Sequence, residues 1–153
     1  MKFENIIFLD FDGVIITPES RWNHLDPTCM FHLKRVIEEC DAWIVITSTH
    51  RKLKSLIELK EFFNEEGFPE VTERIIGVTD DLKKSMCRGE EIEKWIEDNK
   101  SWNRLDLKSF VIIDDDSADM GKFKETHLVK TYCYDGMKKE DADKAINILK
   151  ERR

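Results

Sequence analysis

Three stretches of this sequence end an apolar run in groups that can do chemistry. Asp10-Phe11-Asp12-Gly13 follows residues 6–9, Thr47-Ser48 follows residues 43–46, and Asp114-Asp115-Asp116 follows residues 110–113. Two aspartates separated by one residue, just past a strand, both face one small site, while Phe11 turns into the core and Gly13 permits the turn that follows. A carboxylate is a competent nucleophile toward phosphorus once a cation neutralises and aligns the phosphate. A second carboxyl at short range can then protonate the leaving oxygen and later activate water. Turn chemistry alone reads the same four residues at least as well as an aspartate-rich surface turn.

Those groups matter only if the chain brings them together. Residues 5–9, 43–47, 75–78, 110–113 and 128–134 read as buried strands. Asp26 as N-cap and Pro27 at the first helical position open a helix through Met30, Leu33, Val36 and Ile37 to about Glu39. Leu53, Leu56, Ile57, Leu59, Phe62 and Phe63 mark a second helix, stopped at Gly67. Residues 89–98 make a third, and Ala142, Ala145, Ile146 and Leu149 a last one ending in a basic tail. This alternation predicts an α/β fold, a doubly wound parallel sheet of about five strands with helices on both faces. No repeat or linker interrupts it, so residues 1–153 read as one domain.

Ligands of such sheets sit beyond the carboxyl ends of the strands. Asp10, Asp12, Thr47, Ser48, Asp114 and Asp115 would converge there. Carboxylates gathered at one place repel unless a cation or shared protons compensate. An all-oxygen donor set suits Mg2+ best.

Composition narrows the classes further. With 41% hydrophobic and 10% aromatic residues, the chain can bury a core and does not read as disordered. No apolar run approaches the roughly 20 residues that cross a bilayer. Met1 to Asn5 lead directly into a strand and do not resemble a signal segment, so no membrane and a cytoplasmic location are expected. Cys29, Cys40, Cys87 and Cys133 form no C-x-x-C pair and read as reduced thiols. His24, His32, His50 and His127 show no zinc-ligand spacing relative to them. A net charge of −7 opposes broad attraction to nucleic acid or an anionic membrane. It leaves room for local basic patches at Arg51, Lys52 and Lys54 and at Lys83, Lys84 and Arg88.

Taken in order, the motifs resemble those of the haloacid-dehalogenase superfamily. Phe8-Leu9-Asp10-Phe11-Asp12-Gly13-Val14-Ile15 resembles its first signature and Ile44-Val45-Ile46-Thr47-Ser48 its second. Arg88 before Gly89-Glu90-Glu91-Ile92 resembles the third, and Val111-Ile112-Ile113-Asp114-Asp115 with Asp119 beyond resembles the fourth. Four signatures in order over most of the chain displace the surface-turn reading. The segments around Thr47 to Arg51, Ile76 to Thr79, Arg88 to Trp95 and Leu128 to Met137 are similar to one subfamily, the dehalogenase-type domain of Swiss army knife RNA-repair proteins. Members commonly carry Ser-Trp-Arg where this chain has Thr49-His50-Arg51.

The resemblance implies a three-layer, Rossmann-like fold, capless or with a short flap over residues 14–26. It implies a phosphatase, a Mg2+-dependent phosphomonoester hydrolase working through an aspartyl phosphate. Its substrates would be terminal phosphates of RNA or DNA, or nucleotides, with a functional link to RNA or DNA repair enzymes. Asp10 resembles the nucleophile and Asp12 the general acid/base. Thr47, or Ser48, would hydrogen-bond the phosphoryl oxygens, and Arg88, or Lys84 about one turn earlier, would offset developing charge. Asp114 and Asp115 would hold Mg2+ with Asp10 and the Asp12 carbonyl, and Asp119 would orient that shell.

Other residues read two ways. Arg51 either grips a substrate phosphate or is a solvated arginine at a helix start. His50 reads as a capping or surface group before a proton donor. Trp22 reads as core packing or partial burial before base stacking, and Trp43, Trp95 and Trp102 read as core. Two other classes share the chemistry. A receiver-like signalling module places its acidic pair first and its phosphorylated aspartate on a later strand, the reverse of the order here. A toprim-like site uses D-x-D against phosphodiesters.

Overall fold

The structure, a computed structural model, describes residues 1–47, 55–80 and 87–151. Its centre is the apolar run Phe3–Leu9, which forms strand β1. Strands β2 (Ala42–Ile46) and β3 (Ile75–Val78) lie on one side of it. Strands β4 (Leu105–Asp114) and β5 (Leu128–Lys130) lie on the other, giving the order β3-β2-β1-β4-β5 with every pairing parallel. Helices α1 (Pro27–Cys40), α2 (Leu56–Glu65), α3 (Pro69–Thr72), α4 (Arg88–Asn99) and α5 (Lys139–Glu151) complete the described chain. The α/β class and the five-stranded parallel sheet are as the alternation predicts.

Successive strand residues point to opposite faces. Ile7, Leu9, Ile44, Ile46, Val111 and Ile113 join one apolar cluster with Met30 and Leu33 of α1, Phe63 of α2 and Leu149 of α5. Ile6, Phe8, Val45 and Ile112 join another with Ile92 and Trp95 of α4 and Phe123. Both faces of the sheet are therefore covered, as a parallel sheet requires.

The register places the chemistry. Leu9 pairs with Ile46 on one side and Ile113 on the other, so Asp10 emerges between Thr47 and Asp114. The Thr47 N–H donates to the Leu9 carbonyl at 2.9 Å, and the Asp10 N–H donates to the Ile113 carbonyl at 3.1 Å. The order of strands reverses direction between β1 and β4, the position at which open α/β sheets bind ligands.

Three boundaries differ from the expectation. β4 starts at Leu105, because its first half alternates between half-buried Leu105 and Leu107 and exposed Asp106 and Lys108. A search for continuous apolar runs overlooks such a segment. β5 ends at Lys130, short of residue 134, because the chain turns back between Tyr132 and Gly136. α2 starts at Leu56 behind a capping box, in which the Ser55 Oγ accepts from the Glu58 N–H at 3.2 Å and Glu58 Oε1 accepts from the Ser55 N–H at 3.0 Å. The expected Leu53 lies outside the described residues, and the short α3 had no strong signal of its own.

α1 begins as the sequence predicts. Asp26 Oδ1 accepts from the Thr28 N–H at 2.9 Å, while Asp26 Oδ2 accepts from the buried Thr17 hydroxyl at 2.7 Å. Asp26→Ala removes both, and should lower unfolding free energy by about 2 kcal/mol in urea titrations, the upper range for an N-cap. A change below about 0.5 kcal/mol would show that neither bond matters to the fold.

Candidate active site

At the carboxyl edge between β1 and β4 a small cleft of about 140 Å³ is lined by Asp10, Arg88, Met120 and the acidic residues Asp114, Asp115, Asp116 and Asp119. A larger hollow of about 510 Å³ lies at the opposite, amino edge beside Lys2, Glu38 and Asp41, away from every motif. Chemistry, not size, selects the smaller one.

Asp10, Asp114 and Asp115 bring carboxylate oxygens within 4.8 Å of one another. Asp10 is 7% exposed and Asp114 only 1%, while Asp115 is half-buried. Arg88 Nη1 lies 2.6 Å from Asp114 Oδ2 and 3.3 Å from Asp10 Oδ1. One guanidinium facing three ionised carboxylates leaves two negative charges uncompensated. A divalent cation with oxygen ligands fits both that charge and that donor set.

Local hydrogen bonds set the positions. Asp114 Oδ1 accepts from the Asp116 N–H at 3.0 Å, and Asp116 Oδ1 accepts from the Ala118 N–H at 2.9 Å. These aspartate turns fold the chain back after β4. Asp119 then meets the start of α4, where its Oδ2 accepts from the Arg88 N–H at 3.1 Å and its carbonyl accepts from the Gly89 N–H at 3.0 Å. Asp119 therefore fixes the backbone of Arg88, a different task from the metal shell expected of it. Gly13 has φ +79°, and a Cβ there would lie 2.3 Å from Asp115 Oδ2. Only glycine allows both the turn and the seat of Asp115.

Burial, then the neighbouring Asp114, push the Asp10 carboxyl up to about 7, against the pull of Arg88. Burial and Asp114 likewise push Asp115 up to about 6. Burial opposes the charge of Arg88, yet Asp10 and Asp114 more than offset it and hold the guanidinium above its usual range. The metal-free cluster is thus a proton trap.

The expected residues divide. Asp10, Arg88, Asp114 and Asp115 meet in the cleft. Asp12 stands two residues beyond Asp10 with an exposed side chain. Thr47 reaches the same sheet edge fully buried and is not among the described residues lining the cleft. Ser48, His50, Arg51 and Lys84 lie outside the described residues, as do the remaining members of both basic patches apart from Arg88. Trp43 and Trp95 are buried and Trp102 packs on the core, but Trp22 is 43% exposed and is no core residue. The expectation overlooked two residues. Met120 lines the cleft, and buried Thr131 donates its N–H to the Asp114 carbonyl at 3.0 Å and its hydroxyl to the Gly13 carbonyl at 2.6 Å. Thr131 could have been found from its place just past β5, the strand paired with the one carrying Asp114.

A pH dependence follows from the raised Asp10 carboxyl. Between about pH 4 and about pH 7 the folded, metal-free protein holds a proton on Asp10 that the unfolded chain releases, so this site's contribution to stability falls as pH rises through that window. Asn mimics the protonated acid. Metal-free wild type should lose Tm relative to Asp10→Asn as pH rises toward about 7, and added Mg2+ should reverse the loss only in wild type. Parallel Tm profiles for the two proteins would contradict the raised Asp10.

A protein-family model described as the HAD domain in Swiss Army Knife RNA repair proteins matches residues 6–142. No curated protein matches the chain.

Proposed function

Because the chain belongs to the HAD-domain family of Swiss Army Knife RNA repair proteins, we propose that it is a Mg2+-dependent phosphatase that hydrolyses phosphomonoesters through a phosphorylated Asp10. The observation that carries the reading is the meeting of Asp10 with Asp114, Asp115 and Arg88 at one sheet edge. We read residues 1–153 as one catalytic unit. Terminal phosphates of RNA or DNA are the leading substrates, on the strength of the family's description, with nucleotides next.

The chain's own groups divide the work. Asp10 attacks phosphorus with a carboxylate oxygen, forming the new P–O bond as the ester oxygen leaves. Asp12, exposed two residues along, gives that oxygen its proton and then takes one from the water that attacks the aspartyl phosphate, returning Asp10 and free phosphate. Arg88 sits where it can meet charge growing on the phosphoryl oxygens, and the start of α4 adds its backbone dipole. Mg2+, when bound by Asp10, Asp115 and the Asp12 carbonyl with Asp114 beside them, neutralises the phosphate and keeps Asp10 ionised near neutral pH. Asp114 commits one oxygen to Arg88 and the other to the Asp116 N–H, which favours Asp115 over Asp114 as the second carboxylate ligand. No helix among the described residues is long and apolar enough to cross a membrane. The four cysteines form no disulfide, which suits a reducing compartment.

The test is phosphate release from an aryl phosphate, followed by 3′- and 5′-phosphorylated oligonucleotides. Turnover should require Mg2+ and fall about 10³-fold or more in Asp10→Asn. Asp115→Asn should raise the Mg2+ concentration needed for half-maximal rate. Turnover that survives Asp10→Asn, or that ignores Mg2+, would remove this mechanism.

A further inference from the structure

We propose that the turn after β5 is a binding surface for a single-stranded polynucleotide, with Tyr132 and Tyr134 as a stacking platform and Lys130 and Lys144 as phosphate contacts. The function proposed above supplies only the place where the strand ends, beside Asp10. The surface itself stands on separate observations.

Tyr132 and Tyr134 are 56% and 60% exposed, and their ring centroids lie 5.6 Å apart at 59°. Large aromatic rings left in water side by side contribute little to a core. The turn that carries them is nevertheless held firmly. The Asp135 and Gly136 N–H groups donate to the Tyr132 carbonyl at 2.9 and 2.8 Å, and the Met137 N–H donates to the Val14 carbonyl at 2.8 Å. Gly136 has φ +66°, and a Cβ there would lie 2.7 Å from the Val14 carbonyl oxygen and 2.6 Å from Cys29 Sγ. The turn is thus pressed against the segment that follows Asp12 and Gly13. Thr131, bonded to the Asp114 and Gly13 carbonyls, directly precedes Tyr132. The platform is anchored through one residue to both acidic loops of the cleft.

The charge beside the rings suits a polyanion. Next to Tyr132 lies a hollow of about 580 Å³ lined by Lys130, Lys138 and Lys144 together with Glu140 and Asp141. Asp141 is turned inward, 6% exposed, and its Oδ2 accepts from the Lys138 N–H at 3.0 Å. Lys138 Nζ lies 3.5 Å from Asp135. Among the described residues no carboxylate forms an ion pair with Lys130 or Lys144, and both are exposed. In a chain of net charge −7 this is a local reversal of sign beside two stacking rings. Backbone neutralisation plus base stacking is how single strands are held without sequence preference, stacking alone supplying roughly 5- to 150-fold in affinity per base. An acidic protein segment would use the lysines but has no regular supply of flat rings for the platform.

Fluorescence anisotropy with a labelled single-stranded oligonucleotide lacking a terminal phosphate reads the surface independently of turnover. Wild type should bind it. Tyr132→Ala/Tyr134→Ala should weaken binding about tenfold or more, and Tyr132→Phe/Tyr134→Phe should stay within about twofold of wild type. Lys130→Gln/Lys144→Gln should weaken binding and reduce the magnitude of the salt slope by about one. Aryl-phosphate turnover should not change in any of them. Failure of wild type to bind, unchanged affinity in the alanine and glutamine variants, or tighter binding of an acidic peptide of equal length overturns the proposal. Binding that behaves as described, in a protein with no phosphatase turnover, would overturn the proposed function and leave the surface standing.

Discussion

Carboxylates in a crevice repel one another more strongly than in water, because burial removes the solvent that screens them. Asp10 and Asp114 are almost fully buried, with Asp115 beside them, and only Arg88 answers them in the protein itself. The surrounding structure is arranged to keep this unfavourable group together. Parallel pairing of β1 with β4 sets Asp10 against Asp114, Asp119 holds Arg88 at the start of α4, and Gly13 leaves room for Asp115. The fold stability invested in two packed faces of the sheet is what tolerates the strain of the edge.

The same edge explains the rim. The loop after β1 and the turn after β5 are tied to each other at Val14 and Gly136, and Thr131 ties both to Asp114. Exposed aromatic residues, Trp22, Tyr132 and Tyr134, lie on these two connections and not over the helices of the sandwich. A substrate approaching the cleft therefore meets rings and lysines on a framework that is already braced, which favours a long, flexible phosphate-bearing chain.

Much of this was legible in the residues. The five strands stood out because each is an apolar run buried on both faces, and Asp26-Pro27 announced α1 through its capping chemistry. Asp10, Asp114 and Asp115 were legible because chain-distant acids at strand ends must converge in a parallel sheet. The first half of β4 was hidden, since its alternation resembles a polar surface segment, and β5 was overdrawn because Tyr132 to Tyr134 have high strand propensity but turn away. Asp119 was misread for a geometric reason. Its bond to the Arg88 N–H depends on how two aspartate turns fold the chain back, and sequence spacing does not reveal that path. Trp22 was misread because a large apolar side chain carries no sequence mark of whether the loop around it closes.

The account stands or falls on Asp10 as the atom that takes the phosphoryl group. Asp12→Asn should slow hydrolysis of that intermediate by about 10² to 10⁴-fold, so that it accumulates. Acid-quenching this variant with Mg2+ and an aryl phosphate, then mapping peptides by mass spectrometry, should reveal a phosphoryl adduct on the peptide containing Asp10 that hydroxylamine removes. No adduct under turnover conditions, or an adduct on any other residue, would contradict the mechanism at its first step.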